Sequence, residues 1–149
     1  MNQIAEALLK SGAVHIEPDQ EKFFTWTSGK KSPIYCDNRT LISFPEYRKI
    51  VTKNFVKIIN EKFPTVELIA GTATAGIPWA AWLAEELDLP MVYIRSQAKG
   101  HGLKTAIEGK PIDGQRTLII EDLISTGKSS IESFHHAKND KLDVLAVLS

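Results

Sequence analysis

The sequence predicts an α/β protein: a mostly parallel sheet flanked by helices, in a single domain. Three observations predict it. Apolar runs of strand length alternate with segments of helical spacing along most of the chain. The run Leu118, Ile119, Ile120 is aliphatic and partly β-branched, which suits a strand buried on both faces of a parallel sheet. The ends of three expected strands are polar or Gly-rich, at 71–76, 95–102 and 121–129. Ligands on open parallel sheets sit outside such carboxyl ends, so these three should converge on one crevice.

Taken in order, residues 4–10 read as an amphipathic helix closed by Gly12. Residues 23–26 make a short aromatic strand, 28–33 a turn, and 34–37 a second strand, together an irregular hairpin. Pro45–Lys62 places Tyr47, Ile50, Val51, Phe55, Ile58 and Ile59 at helical spacing. Residues 66–71 form a strand. Gly76 and Pro78 then lead into a helix over 79–87, with Pro near its first turn. Strands are expected at 91–95 and 116–121, a helix at 129–137, and a last apolar strand at 142–148. Residues 96–115 contain four glycines and one proline and show no periodicity. A structureless stretch of that length in a compact domain reads as a mobile functional loop. Residues 1–40 form an N-terminal segment and 41–149 the core that carries this loop.

Composition narrows the function classes. Of 149 residues, 18 are basic and 18 acidic, so no global field draws the chain to nucleic acid or an acidic membrane. Cys36 is alone, which excludes an intrachain disulfide and favours a reducing, cytoplasmic location. The N-terminus carries Glu6 and lacks the basic start and long apolar core of a signal peptide, and no apolar run is long enough to span a membrane. His15, His135 and His136 show no metal-ligand spacing.

Chemistry concentrates at residues 117–130, TLIIEDLISTGKSS. Two carboxylates, Glu121 and Asp122, follow the apolar run. Hydroxyls, Gly127 and a helix N-terminus then form a cradle for a phosphate. An acidic pair repels a bare phosphate. It suits a ligand with a phosphate at one end and sugar hydroxyls and a metal at the other, that is, a phosphorylated ribose. Gly127-Lys128-Ser129 also ends like a Walker A loop, but the first Gly of that pattern falls on Asp122. The bland reading, a strand and a turn of N-capping residues, explains Ser and Thr but not adjacent carboxylates.

This stretch resembles the phosphoribosyl diphosphate (PRPP) motif of the type I phosphoribosyltransferases, and EDLISTG is most similar to the orotate phosphoribosyltransferases. The resemblance implies that Glu121 and Asp122 hold the ribose hydroxyls, that Ser125, Thr126, Gly127, Lys128 and Ser129 enclose the 5′-phosphate, and that Leu123 and Ile124 also belong to the PRPP-binding segment. Ser125 also falls to the orotate site. Mg²⁺ is the implied cofactor, reached through PRPP, with Asp122 as candidate protein ligand. Lys128 departs from the family's common second Gly. If the position requires a positive φ, Lys costs about 1–2 kcal/mol; if not, an ammonium beside a phosphate is favourable.

Three further motifs occur in family order. GTATAGIP resembles the diphosphate loop, which assigns Thr72, Ala73, Thr74, Ala75 and Gly76 to that group; Ala75 stands where some relatives carry Lys. The alternative for this loop is a tightly packed β-to-α turn. Arg95-x-x-x-Lys99-x-His101-Gly102 resembles the catalytic loop, so Arg95, Lys99 and His101 are implied to meet the diphosphate; Ser96 stands where some relatives have a second basic residue. Residues 24–35 resemble the family's hood over the base, with Tyr35 to stack on a pyrimidine and Lys31 to answer its carboxylate. Core packing is the plainer role for most of Phe23, Phe24 and Trp26.

The implied activity is transfer of the phosphoribosyl group from PRPP to orotate in pyrimidine biosynthesis, by a homodimer whose loop 96–115 reaches into the partner's site. The alternatives are a PRPP-sensing regulator on the same fold and a purine phosphoribosyltransferase. The family's chains run on beyond the position of Ser149, so the resemblance implies that a C-terminal part of the fold is missing. That would leave residues 142–148 as an exposed apolar strand.

Overall fold

The computed structural model describes residues 3–26, 28–96 and 105–149. It divides into two compact units, Met1–Val51 and Thr52–Ser149.

In the first unit, helix α1 (Gln3–Lys10) carries a Glu6–Lys10 ion pair of 2.6 Å and ends where the sequence places its stop. Gly12 sits at φ 74°, and the Ala13 amide donates back to the Leu8 carbonyl at 3.1 Å. That left-handed turn is the usual job of a glycine after a helix. Four short strands follow: β1 (Val14–Ile16), β2 (Phe24–Thr25), β3 (Lys31–Ser32) and β4 (Ile34–Cys36). The strand over 23–26 does not form a hairpin with the strand over 34–37. β2 pairs with β3, inside the segment read as a turn, and β4 pairs with β1 instead. Pro33 has no N–H to continue a ladder, so the chain changes partner there. The Ser32 hydroxyl bridges the break, accepting from the Ile34 amide at 3.1 Å. β1 went unpredicted because it has three residues, two of them exposed, and shows no alternation. Helix α2 (Pro45–Lys62), which begins in this unit and runs on into the second, matches its expected bounds, with Pro at the first position, where no intrahelical N–H bond is lost.

The second unit is built on five strands: β5 (Leu68–Thr72), β6 (Met91–Ile94), β7 (Ile107–Glu108), β8 (Arg116–Ile120) and β9 (Asp143–Leu148), in the order β7-β6-β5-β8-β9. β6, β5, β8 and β9 are parallel; β7 closes one edge antiparallel. β5 is central and buried along its whole length. Helices α3 (Gly76–Leu87) and α4 (Lys128–Asn139) supply the connections. Leu68, Ala70, Val92, Ile94, Ile107 and Ile119 form one core with Ala137 of α4 and Leu142. The opposite face of β5 meets α3 so closely that a Cβ on Gly71 would lie 2.9 Å from Ala80 Cβ. The stretch 96–115 is therefore not wholly irregular: Ile107 is buried and its strand pairs with β6. Two residues between glycine-rich flanks are too few for a periodicity to show. β9 is the other edge, half-buried rather than bare, with a register shift between Thr117 and Leu118 of its neighbour. No helix among the described residues is long and apolar enough to cross a membrane.

Candidate functional site

The carboxylate pair stands where β8 stops. The Glu121 amide still donates to the Leu148 carbonyl of β9 at 2.9 Å, so the sheet ladder holds the backbone in place. Its side chain is buried, at 5% exposure. Glu121 Oε2 accepts from the Ser129 hydroxyl at 2.9 Å, and Oε1 accepts from the Asp122 amide at 3.1 Å. Burial pushes the Glu121 carboxyl above its ordinary pKa, and the hydrogen bond from Ser129 offsets only part of that. Asp122 is only half-buried. The two acids are thus unlike. Glu121 ties the end of β8 to the first turn of α4, while Asp122 stands nearer solvent.

Beyond them, Leu123, Ile124, Ser125 and Thr126 are exposed, and Gly127 turns the chain at φ 79°, ψ 0°. The Lys128 amide reaches the Thr126 hydroxyl at 3.4 Å, and the Ile131 amide donates to the Gly127 carbonyl at 2.9 Å. The N-cap residue Gly127 offers no capping side chain, and apart from the long Lys128–Thr126 contact no side-chain bond among the described residues reaches an amide at the start of α4. Its first-turn amides therefore face the loop, and with the helix dipole they make an anion cradle. The left-handed turn belongs to Gly127; Lys128 is the first helical residue, and no positive φ is asked of it. Its ammonium lies 3.9 Å from Glu132 along the helix, with 81% of the side chain exposed.

The loop Thr72 to Gly76 packs, at Gly76, against the end of β8. The Ala73 amide donates to the Ile94 carbonyl at 2.8 Å, and the Ala73–Thr74 peptide is cis. A Cβ on Gly76 would fall 2.3 Å from the Ile120 carbonyl oxygen and 3.4 Å from Glu121 Cα. Gly71 and Gly76 are here for close approach, not for φ, so the tight-turn reading holds for them. The Thr72 hydroxyl is buried and has no hydrogen-bond partner among the described residues. The strand ends before the three polar or Gly-rich segments are adjacent: β6, β5 and β8 lie side by side, with Thr72 in register with Ile94 and Gly71 with Ile120, while residues 97–102 lie outside the described residues.

Arg95 follows β6 at this same end of the sheet, and its Nη1 donates to Glu108 Oε1 of β7 at 3.2 Å. Lys99 and His101 lie outside the described residues. Lys31, on β3, and Tyr35, on β4, belong to the other unit. Tyr35 packs against Phe24 and His15, with ring centroids 5.7 and 6.3 Å apart. Sequence reasoning missed Glu108, hidden in an apparent loop. It also missed Ser130, whose buried hydroxyl likewise has no partner among the described residues. The available signal for Ser130 was its helical spacing with Ser133 and Ala137, the inward face of α4.

Buried carboxylate, open anion cradle and close-packed glycine loop at the carboxyl end of the sheet agree with similarities across the chain. Residues 40–146 match the phosphoribosyl transferase domain family. The orotate phosphoribosyltransferase of Fusobacterium nucleatum is 52% identical over 147 residues, covering 99% of this chain and 70% of that protein. The orotate phosphoribosyltransferase of Bacillus cereus is 50% identical, with 99% and 69% covered. The crystal structure of orotate phosphoribosyltransferase from Aeropyrum pernix superposes with a TM-score of 0.81 at 28% identity, over 97% of this chain and 80% of that one. The chain belongs to the orotate phosphoribosyltransferases of the phosphoribosyl transferase family.

Proposed function

We propose that the chain transfers the phosphoribosyl group of PRPP to orotate, giving orotidine 5′-monophosphate and diphosphate. The observation that carries this is the pairing, at the end of β8, of two carboxylates with an uncapped helix N-terminus only a short loop away. One end suits sugar hydroxyls and the other a phosphate, which is the polarity of a phosphorylated ribose.

In this reading Asp122 accepts from the ribose hydroxyls and Glu121 holds it in place. Amides and hydroxyls from Ser125 to Ser129 bind the 5′-phosphate. Backbone amides of the loop Thr72 to Gly76 other than that of Ala73, which the Ile94 carbonyl takes, and the guanidinium of Arg95 meet the diphosphate. Ser125, Lys31 and Tyr35 address orotate. The bond from ribose C1 to diphosphate breaks as a ring nitrogen of orotate attacks the opposite face. The electron pair leaves with the diphosphate, and C1 inverts. Positive charge grows on the ribose near Glu121 and Asp122, and negative charge on the leaving group, where Arg95, Lys99 and His101 answer it. No protein nucleophile is needed, and positioning supplies much of the rate.

Mg²⁺ takes few protein ligands in such sites, usually one or two carboxylates with substrate oxygens and water. No three His, Cys, Asp or Glu side chains gather to hold a metal among the described residues. The Asp122 carboxylate beside a PRPP cradle fits that thin protein share. The ion would supply charge neutralisation to the diphosphate. The chain is proposed to work as a homodimer that shares the Lys99 and His101 segment between subunits.

The test is orotate absorbance with PRPP and Mg²⁺, against adenine, guanine and uracil as competing bases. Asp122→Asn should lower turnover or PRPP affinity at unchanged melting temperature. Wild-type kinetics in that variant, or equal turnover of all bases by the unaltered chain, would sink the reading.

A further inference from the structure

We infer that Glu108 is a positioning residue for the leaving group: from the edge strand β7 it holds the guanidinium of Arg95 at the mouth of the diphosphate loop. This rests on the reading above and adds to it a residue outside every motif that led there.

The geometry comes from strand register. Glu108 stands directly opposite Tyr93 in the antiparallel β6–β7 pair. Tyr93 is in register with Gly71, and Gly71 faces Ala80 of α3. Side chains alternate along a strand, so Arg95, two residues past Tyr93, shares that face. Ile94 between them is fully buried on the other face, in the core with Ala137 of α4. Arg95 and Glu108 therefore stand on the face from which α3 departs, and the loop Thr72 to Gly76 is what leads into α3. The same loop is fastened to β6 one residue before Arg95, by the Ala73 amide on the Ile94 carbonyl.

That loop carries no charged side chain of its own: it is Thr, Ala, Thr, Ala, Gly. A diphosphate bound there takes its counter-charge from neighbours, and Arg95 is the neighbour at the fastening point. Arg95 has 40% of its side chain exposed, and an arginine so placed has many rotamers to lose on binding. The carboxylate of Glu108 has 24% exposure on a backbone fixed by strand pairing, which makes it a firm anchor. It engages Nη1. A guanidinium offers five N–H donors in a rigid fork, so this bond sets the plane of the fork and leaves donors for phosphate oxygens. The competing effect is that the Glu108 charge weakens the pull of Arg95 on an anion. The two effects predict opposite signs, and the neutral isostere separates them.

The experiment compares Glu108→Ala, Glu108→Thr and Glu108→Gln with Arg95→Ala and the Arg95→Ala/Glu108→Ala double variant. It reads KM for PRPP, KM for orotate, kcat, melting temperature, and direct titration with inorganic diphosphate. Glu108→Ala and Glu108→Thr are expected to raise KM for PRPP and weaken diphosphate binding by about fivefold, the upper end for a partly exposed ion pair. KM for orotate should hold. Glu108→Gln, which keeps the acceptor, should stay within about twofold of wild type, since only the charge is lost. Removing Glu108 should add nothing once Arg95 is gone. Thr suits an edge strand, so loss of folding in the Ala variant leaves the test standing. Unchanged or tighter diphosphate binding in the Ala and Thr variants overturns the inference, as does an effect that persists without Arg95. If the wild-type chain binds diphosphate but does not turn over orotate, the reading of function fails while the titration still decides the role of Glu108.

Discussion

Gly76→Ala is the sharpest perturbation the structure offers, because one added methyl meets backbone rather than a side chain. Its Cβ would stand 2.3 Å from the Ile120 carbonyl oxygen and 3.4 Å from Glu121 Cα. Side chains can rotate out of such a contact, but here the end of β8 must move away from α3. That carbonyl belongs to a strand flanked on both sides by parallel neighbours, β5 and β9, so it yields poorly. Overpacking of this kind costs about 1–3 kcal/mol, and a rigid obstacle puts it near about 3. The helix-propensity gain of Ala over Gly, at most about 1 kcal/mol in a helix interior, is smaller at a first position. For a chain of this size each kcal/mol shifts Tm by about 2–4 °C, so a fall of about 6–12 °C is expected. The displacement also reaches the backbone of Glu121, so KM for PRPP should rise. The assay is thermal unfolding with PRPP kinetics, and Gly127→Ala is the control. At Gly127 there is room, with Ile131 Cδ1 at 3.9 Å, but φ is 79°, so the cost is conformational, about 1–2 kcal/mol. Asn tolerates that conformation and should recover part of the loss at 127; at 76 it should recover none. A Gly76→Ala chain that melts within about 2 °C of wild type with unchanged KM would refute the close-packing account.

Ser130→Ala should be neutral or stabilising by up to about 1 kcal/mol, since it removes a buried hydroxyl without a partner among the described residues; a clear fall in Tm would reveal a bond the geometry does not show. Glu121 has its carboxyl raised by burial, so its contribution to stability is fully present below the unfolded pKa and is lost as pH rises through the folded value. Glu121→Gln should therefore melt higher than wild type at neutral pH, with the gap closing on acidification towards pH 4, while PRPP binding weakens; a gap that widens on acidification reverses the sign and the reasoning. Lys128→Gly should change KM for PRPP by less than about fivefold, because its ammonium is exposed and directed along the helix to Glu132.

Most of the second unit was legible in the sequence. Its strands are aliphatic runs and its helices carry ordinary starts and stops, because a sheet covered on both faces demands apolar residues without alternation. The site at the end of β8 was legible for a related reason: adjacent carboxylates, a Gly and a helix start sit within one continuous segment, so their proximity is covalent. The bounds of α2 and the stop of α1 at Gly12 were likewise local. What failed was pairing. β1, β2, β3 and β4 are two or three residues long, and nothing local says that Ile34 faces Ile16 rather than the aromatic strand. β7 was invisible for the same reason.

Tertiary structure alone decided several things. It decided that Gly76 is required by the Ile120 carbonyl from another strand, and that Lys128 escapes the left-handed turn because Gly127 takes it. It decided that Glu121 is tied to Ser129 while Asp122 stands nearer solvent. It also brought Arg95 to Glu108, thirteen residues apart. Propensity and motif act through neighbours along the chain. Burial, register and ion pairing act through neighbours across it, and these exist only once the sheet has formed.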